Sequence, residues 1–466
     1  MNNTFEKRLS EQHKLFDILR ANADVGKFFY DYSVKCPIER GVLERVGDSS
    51  IDKYNSTIFS AKVSGMNEKT YSVKKFSFPL FSEEVKVQNE YVPYEEILKT
   101  VSSSHDIPFS ILKMINDAVF RKRSPFETKG FLFRETIARV FIPEGFSSKV
   151  DKTFFTGGSG ECEIKKEVTI PRNDENGYIT FQPGDYMCRS GVFTETMLNM
   201  LMGEYYHQGK CINLIGVYGF GMCSYGKFLD YYNFQEETSG MLLDSIWSKE
   251  TLNLEKILCI MFQLFFVSAF LHRKGIIHND LNFDNVYFEK LDENSLYNGK
   301  KIGQVEYLQY RIGKTKFFIP NYGVIVKVGD YSIASKLSGY GSKIGNMKYL
   351  VEKQSWWRPN WMTHTFDDLT VLGNFLKNIP SSYDAVHRIF NEMTQGKLKD
   401  AVSKCGGSFD SVFNTKIGIP KKELTVAFDR QLPEYKTYNF LLKSKIFKVF
   451  RGESLDDKSE IVGVLN

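Results

Sequence analysis

The sequence has little of several features that would place it in a special class. Only 13 of its 466 residues are proline, so long proline-rich linkers are excluded. Its seven cysteines include no Cys-x-x-Cys pair, which argues against a zinc ribbon or a redox motif. The net charge of +5 is too small to indicate a nucleic-acid partner. Widely spaced, unpaired thiols are typical of a reducing compartment, so we expect a cytoplasmic protein.

Long apolar segments are also missing. The most apolar run covers residues 257–271 and is interrupted by Gln263 and Ser268. It is shorter than the roughly 20 residues that a membrane span requires. Asn253 precedes it as a candidate N-cap, and Gly275 follows a basic cluster as a stop signal. The run therefore predicts a core helix, and we expect neither a membrane span nor, from the charged N-terminal sequence, a signal peptide.

Aromatic residues are abundant, at 15% of the chain, and they indicate a large core. At about 150 residues per domain the length corresponds to about three domains. Two β-rich runs, TIFSAKV and KTYSVKKF, flank a glycine-containing turn within residues 57–76. This pattern predicts a β-hairpin whose second strand presents Ser72 and Lys74 on one face.

The segment with the clearest chemistry follows the predicted core helix. Residues 278–285 read HNDLNFDN, which places His278 two residues before Asp280, and Asn285 five residues after it. A carboxylate at the first position can accept the proton of an attacking hydroxyl, and an amide oxygen at the second can hold Mg²⁺ over phosphates. The pattern alone is also compatible with a solvated polar loop.

Three further sequence features occur in a defined order around this segment. The hairpin that ends in Lys74 lies upstream, while a valine-rich strand leads to Asp330 and a helical pattern carries Asp368 and Gly373. Together they resemble the eukaryotic-type protein kinase superfamily over about 42–76 and 190–400. The long aromatic segment before Asp330 resembles divergent serine/threonine kinases of large nucleocytoplasmic DNA viruses, such as those of iridoviruses.

This resemblance implies an α+β fold with two lobes, a small antiparallel β N-lobe and a mostly helical C-lobe, with large insertions. It divides the chain into an N-terminal helical extension at 1–41, an N-lobe at 42–235 with an insertion at about 77–190, a C-lobe at 236–450 with an insertion at about 289–322, and a tail at 451–466.

The resemblance also implies roles for individual residues. Asp280 would be the catalytic base, and Lys74 and Asn282 would be the other catalytic residues. Asn285 and Asp330 would hold Mg²⁺. The residues implied for ATP binding are Gly47, Ser49, Ser72, Lys74, Glu195, Glu236 and Glu237. Asp368 would tie down the catalytic loop. Glu195 is favoured as the partner of Lys74, with Glu95 or Glu96 as alternatives, and Lys165 or Lys166 are weaker alternatives for the lysine itself.

The chain departs from the family pattern at several positions. Gly47 is the one glycine where a phosphate-binding loop is expected, Asn279 replaces an arginine, Asn282 a lysine, and Ser332 a glycine. The resemblance implies a serine/threonine kinase that uses ATP and Mg²⁺ on protein substrates in a host cytoplasm or virus particle, without a nucleic-acid partner. A pseudokinase scaffold and a small-molecule kinase of the choline or aminoglycoside type are the alternatives.

Overall fold

The protein is described by a computed structural model. The described residues are 14–15, 18, 43–51, 56–66, 69–87, 92–104, 109, 112–113, 116, 136–143, 155–156, 163–164, 168–172, 177–181, 191–225, 228–242, 253–331, 334–336, 364–404, 408–414, 418–452 and 455–466. They fall into two compact units. The N-terminal unit lies within Leu9–Thr196 and Val217–Glu237, and the C-terminal unit includes Met197–Gly216 and Thr238–Asn466. The expected lobe boundary at 235/236 lies close to the one at 237/238. Of the expected helical extension at 1–41, Lys14, Leu15 and Ile18 are described, and all three are helical.

The N-terminal unit is built on a six-stranded antiparallel sheet. Five of its strands run in the order β1-β2-β3-β10-β9, and β4 pairs with the far end of β3. Its strands, two further hairpins and two helices are β1 (Leu43–Ile51), β2 (Ser56–Val63), β3 (Thr70–Val87), α1 (Tyr94–Ser104), β4 (Thr136–Pro143), β5 (Phe155–Thr156), β6 (Glu163–Ile164), β7 (Val168–Arg172), β8 (Gly177–Phe181), α2 (Gly191–His207), β9 (Val217–Tyr225) and β10 (Phe228–Glu236). Residues of α2 from Met197 onward belong to the C-terminal unit.

The predicted hairpin within residues 57–76 is confirmed by the pairing of β2 with β3, in which Phe59 lies opposite Val73. Tyr71 and Val73 are fully buried and pack with Phe59 and Phe234 in the core of this unit. Since successive side chains of a strand point to opposite faces, Ser72 and Lys74 share the other face, as the alternation predicts.

The C-terminal unit surrounds one long helix, α3 (Leu254–Arg273), which confirms the core helix predicted from the apolar run. The side chain of Asn253 accepts a hydrogen bond from the Lys256 backbone N–H at 2.8 Å, so it is the N-cap. Gly275 follows the helix with φ 77°, a conformation that glycine adopts without strain. By length and composition α3 is apolar enough to cross a membrane, and 78% of its most apolar window is buried inside the protein, as in the core of a globular domain.

Short strands and further helices complete the C-terminal unit. They are β11 (Gly240–Met241), β12 (Ile276–Ile277), β13 (Val286–Lys290), β14 (Leu296–Tyr297), β15 (Lys300–Lys301), β16 (Tyr307–Ile312), β17 (Thr315–Pro320), β18 (Val324–Val328), β19 (Ser335–Lys336), α4 (His364–Asn378), α5 (Tyr383–Met393), α6 (Lys399–Lys404), β20 (Phe413–Asn414), β21 (Ile419–Pro420), α7 (Lys422–Gln431), α8 (Thr437–Lys443) and β22 (Ser459–Leu465). The described part of the chain is thus mixed α+β, with several small sheets.

The segment expected as an insertion at about 289–322 folds together with the segment expected as a tail. β16 and β17 form an antiparallel hairpin, and β22 joins β16 as a parallel third strand. The Phe262 ring of α3 lies between this sheet and the C-terminal segment, with Phe317 at 5.0 Å and Phe447 at 5.4 Å between ring centroids. The aromatic excess of the sequence is therefore used in the core of this unit.

Candidate active site

The HNDLNFDN segment forms a loop between β12, which is buried, and β13, in which Val286 and Phe288 are buried. Both oxygens of the Asp280 side chain accept hydrogen bonds within it. Asn282 Nδ2 donates to Asp280 Oδ1 at 2.6 Å, and Asn285 Nδ2 donates to Asp280 Oδ2 at 2.8 Å. Asn282 also accepts the Asp284 backbone N–H at 2.8 Å and so caps the 3-10 turn Phe283–Asn285. The loop therefore holds the Asp280 carboxylate in one orientation.

The environment of Asp280 shifts its protonation. Burial raises the pKa of Asp280, and the negative charge of Asp330 also raises it, while the charge of His278 and the amides of Asn285 and Asn282 lower it. The net result is a pKa above the ordinary value of an aspartate. A carboxylate with a raised pKa is a better proton acceptor than an ordinary one, which suits a general base.

The HNDLNFDN loop is anchored by Asp367 on α4, which corrects the expectation that Asp368 would tie this loop down. Asp367 accepts the backbone N–H of His278 at 2.8 Å and that of Asn279 at 2.6 Å. It also contacts His272 Nε2 at 3.1 Å. Asn279 itself has φ 64°, a left-handed backbone conformation that is uncommon for a residue other than glycine.

Asp368 faces a different set of partners. It accepts hydrogen bonds from the hydroxyls of Ser268, Thr437 and Tyr435 at 2.7, 2.7 and 2.8 Å. The spacing from Asp368 to Gly373 matched the family pattern, but neighbouring helix residues are about 100° apart and contact different elements. A spacing argument cannot separate two adjacent carboxylates, whereas the hydrogen bonds do.

Asp330 lies two residues after the end of β18 and has φ 61°. The preceding residue, Gly329, connects this turn to the HNDLNFDN loop in two ways. Its carbonyl oxygen contacts His278 Nε2 at 2.9 Å, and its N–H donates to the Asn285 carbonyl at 3.2 Å. β18 and β13 are paired antiparallel, so the ends that carry Asp330 and Asn285 lie side by side. Ser332, the departure from the family pattern next to Asp330, lies outside the described residues.

The oxygen atoms of the side chains around Asp280 are ligands that suit a hard cation such as Mg²⁺. Asn285 uses its amide nitrogen on Asp280, and no donor among the described residues hydrogen-bonds to its amide oxygen. The oxygen types present, two carboxylates and an amide, are those that Mg²⁺ accepts in combination with substrate phosphates. Across the described part of the chain no group of three or more His, Cys, Asp or Glu side chains is arranged to hold a metal by itself. The residues present therefore fit a magnesium ion that is shared with a phosphate ligand.

In the N-terminal unit, Lys74 on β3 forms a buried ion pair with Glu195 on α2. Lys74 Nζ lies 2.9 Å from Glu195 Oε1, and both residues are at least nine-tenths buried. The structure thus brings Lys74 together with the favoured partner, although 121 residues separate them in the chain. Glu95 instead pairs with Lys113 at 3.3 Å, and Glu96 is exposed. Lys165 and Lys166 lie outside the described residues.

The residues implied for adenine binding are neighbours at one end of the same sheet. Ser72 is paired with Ser60 of β2 on one side and with Gln235 of β10 on the other. Gln235 directly precedes Glu236 and Glu237 in the chain. Ser60 Oγ donates to Glu237 Oε1 at 2.6 Å. Gly47 and Ser49 lie in β1, where the pairing register with β2 shifts between Val46 and Ser50. The side chain of Ser49 lies outside the description.

One buried ion pair of this sheet was missed by sequence reasoning. Lys75 Nζ lies 2.9 Å from Asp230 Oδ2, and both side chains are buried. Because Lys75 follows Lys74 in β3, it points to the opposite face. Two consecutive lysines in a strand were the available signal, since each must find its own partner if both are buried.

Comparison with known proteins gives a partial match to a viral protein. The chain is 28% identical over 134 residues to a protein of Acanthamoeba polyphaga mimivirus named "Putative serine/threonine-protein kinase R400". The match covers 28% of this chain and 25% of that protein, so it spans about a quarter of the relative's length. No protein-family model matches the chain.

Proposed function

We propose that the chain is a serine/threonine protein kinase that transfers the γ-phosphate of ATP to protein hydroxyl groups. The mimivirus protein that it resembles carries a kinase name, which supports the kinase class. The observation that carries the proposal is the catalytic loop. Asp280 is held there by two amides, next to the charge of Asp330, in a loop fastened through its backbone to Asp367.

Each residue has a specific role in this proposal. Asp280 accepts the proton of the attacking hydroxyl, and its raised pKa favours that transfer. Asn282 keeps the carboxylate of Asp280 oriented, so it is a positioning residue. Unlike the lysine that it replaces in the family pattern, it carries no positive charge that could stabilise the γ-phosphate. Lys74, neutralised and oriented by Glu195, binds the phosphates of the nucleotide. Asn285 and Asp330 would hold Mg²⁺, which when bound neutralises the charge on the phosphates.

The decisive experiment measures phosphate transfer from radiolabelled Mg-ATP to a basic protein and to the chain itself. Asp280→Asn should lower the transfer rate by about 10²–10⁴-fold, because general base catalysis contributes about that much. Asp284→Asn is the matched control. Asp284 is an exposed residue of the same loop, and its carboxylate makes no hydrogen bond to Asp280. Its substitution should leave the rate within about twofold.

The substrate class is tested in the same assay. Choline and an aminoglycoside replace the protein substrate, and faster transfer to either would replace the protein-kinase proposal with a small-molecule kinase. A folded wild-type protein that transfers phosphate to none of these substrates would contradict the enzyme proposal. Equal rates for wild type and Asp280→Asn would contradict the assigned mechanism.

A further inference from the structure

A chain of buried polar side chains joins the two neighbouring aspartates of α4. His272 on α3 contacts Asp367 Oδ2 through Nε2 at 3.1 Å and the Thr437 hydroxyl of α8 through Nδ1 at 3.1 Å. The Thr437 hydroxyl in turn lies 2.7 Å from Asp368 Oδ2. All four residues are at least nine-tenths buried. We call this chain, from Asp367 through His272 and Thr437 to Asp368, the polar relay.

The polar relay has more contacts than its ordinary hydrogens can fill. Each of its three contacts needs one hydrogen between the two heavy atoms. The Thr437 hydroxyl supplies one and a neutral His272 ring supplies one, whereas ionised carboxylates supply none. With two hydrogens for three contacts, two lone pairs would face each other in a buried site, which is costly. A third hydrogen, bound as an extra proton, removes this conflict.

The extra proton has two sites at which all three contacts are filled. On His272 it gives an imidazolium ring that donates to both Asp367 and Thr437. On Asp368 it gives a carboxylic acid that donates to Thr437, whose hydroxyl then donates to a neutral His272. Asp367 is a poor site, because its carboxylate already accepts two backbone N–H groups of the HNDLNFDN loop. Both arrangements bind the same number of protons and carry the same net charge.

The surroundings of the polar relay favour a bound proton. Among the described residues, His278 and Tyr435 are the titratable side chains that act on the two carboxyls from neighbouring elements. The Tyr435 hydroxyl donates to Asp368, and burial raises the pKa of Tyr435 well above its ordinary range, so this hydroxyl stays neutral. Burial also raises the pKa of Asp368. Two carboxyls in a buried site therefore favour keeping one proton between them.

We propose that the polar relay retains one extra proton at neutral pH, and that through this proton His272 and Thr437 act as positioning residues for the HNDLNFDN loop. With the proton bound, His272 holds Asp367 in the orientation in which its carboxylate accepts the backbone of the loop. Without it, one contact of the relay is lost. The effect on phosphate transfer rests on the proposed kinase function, whereas the bound proton does not.

The test measures urea denaturation of the full chain from about pH 6.5 to about pH 7.5, for the wild type and Asp368→Asn. An amide nitrogen at the place of Asp368 Oδ2 has two hydrogens, which match the hydroxyl oxygens of Thr437 and Tyr435. It supplies the missing hydrogen covalently, so the folded variant binds one proton fewer. The ratio of the two unfolding constants should therefore change about tenfold per pH unit, with the wild type losing stability relative to the variant as pH rises.

Thr437→Val tests the same proton without altering a carboxyl. It leaves one contact, between His272 and Asp367, which a neutral ring can fill. Its unfolding constant should therefore show the same tenfold change per pH unit relative to the wild type, and adding Asp368→Asn should not increase this change. Thr425→Val is the matched control, because Thr425 is also fully buried and its hydroxyl has no hydrogen-bond partner among the described residues. Its ratio to the wild type should not depend on pH.

Ratios to the wild type that stay constant with pH for both Asp368→Asn and Thr437→Val would overturn the proposal, as would an equal pH dependence in Thr425→Val. If Asp368→Asn does not fold, as judged by circular dichroism, Thr437→Val carries the test. In the kinase assay, the transfer rate of the wild type should fall in alkali, and Asp368→Asn should remove that fall. Because the unfolding measurements need no phosphate transfer, a pH-dependent ratio in an inactive protein supports the relay and counts against the kinase proposal alone.

Discussion

Asp367 and Asp368 are chemically identical neighbours, both buried, yet their pKa values move in opposite directions. Burial raises the pKa of both carboxyls. At Asp367 the hydrogen bond and charge of His272, together with the His278 backbone N–H, outweigh burial, and the pKa is lowered. At Asp368 the hydroxyl donors do not compensate fully, and the pKa is raised. The ionised form is thus favoured at the residue that binds the backbone of the HNDLNFDN loop.

The two positions should respond differently to the same substitution. Asp367→Asn should lower the free energy of unfolding at neutral pH by about 3 kcal/mol. The backbone N–H groups of His278 and Asn279 can only donate hydrogen bonds, and the amide nitrogen of the new asparagine would face one of these donors. Asp368→Asn should cost at most about 1 kcal/mol, since the hydroxyls of Ser268 and Thr437 can rotate to accept a hydrogen bond. Urea denaturation of both variants measures the difference.

The pH dependence gives this comparison a second readout. A lowered pKa means that Asp367 stabilises the fold above the ordinary aspartate pKa and loses this contribution as pH falls through its lowered value. The cost of Asp367→Asn should therefore shrink in acid. A raised pKa at Asp368 acts in the opposite sense, so acidification relieves the cost of burying its charge. Equal costs for the two variants at every pH would contradict the assignment of Asp367 as the anchor.

Asn282 offers a test of how Asp280 is tuned. Its amide stabilises the ionised carboxylate, so Asn282→Ala should raise the pKa of Asp280 further. Since Asp280 must be ionised to accept a proton, the acid limb of the pH–rate profile of phosphate transfer should move to higher pH. The Asp284→Asn protein serves as the reference. An acid limb that stays in place would mean that Asn282 does not act on this carboxylate.

At this scale the sequence predicts residue types better than contacts. The spacing from His278 to Asn285 was sufficient to propose a base and a metal ligand, because a loop motif is local. It could not identify Asp367, whose role depends on the rotation of α4 about its axis. Nor could it identify the pair of Lys75 and Asp230, which requires the register between β3 and β10.

On β22, the position of Gly463 leaves no space for a side chain. A Cβ atom on Gly463 would lie 2.6 Å from a Tyr310 ring carbon and 2.7 Å from the Phe266 ring. The strand therefore packs against β16 and α3 at a distance that only glycine permits at this position.

Gly463→Ala should destabilise the protein by about 1–3 kcal/mol, the usual cost of overpacking a core. Gly452→Ala is the matched control in the same C-terminal segment, because its added carbon would find its nearest neighbour at 3.5 Å, an ordinary contact. It should change the free energy of unfolding by less than about 0.5 kcal/mol. Chemical denaturation of the two variants compares them directly, and a cost at Gly452 as large as that at Gly463 would show that the close approach has no energetic effect.

Elements with strong local signals were predictable from the sequence. The core helix α3 combined an apolar run, an N-cap asparagine and a glycine stop, and each signal acts over a few residues. The hairpin of β2 and β3 was similarly local. The partner of β16 was not predictable, since a parallel strand contributed by a distant segment leaves no periodic mark at either site.

At the scale of the whole molecule, ligand binding provides the broadest test of the proposed function. A ligand at about 100 times its Kd stabilises a protein by about 2.7 kcal/mol. ATP with Mg²⁺ should therefore raise the melting temperature of the wild-type protein, and more than ATP alone. Asp330→Ala should abolish the difference that Mg²⁺ makes, while Asp284→Asn should retain it. No Mg²⁺-dependent rise in the wild-type protein would contradict the proposed metal ligands.

The parallel pairing of β22 also has a consequence for the order in which the protein is made. Gln309 on β16 and its hydrogen-bond partner Asp456, just before β22, are 147 residues apart in the chain. At the usual elongation speed of a ribosome, the hairpin of β16 and β17 is synthesised on the order of ten seconds before the strand that completes its sheet. During that interval the β16 edge is exposed in the nascent chain, so this edge is where we expect a chaperone to act.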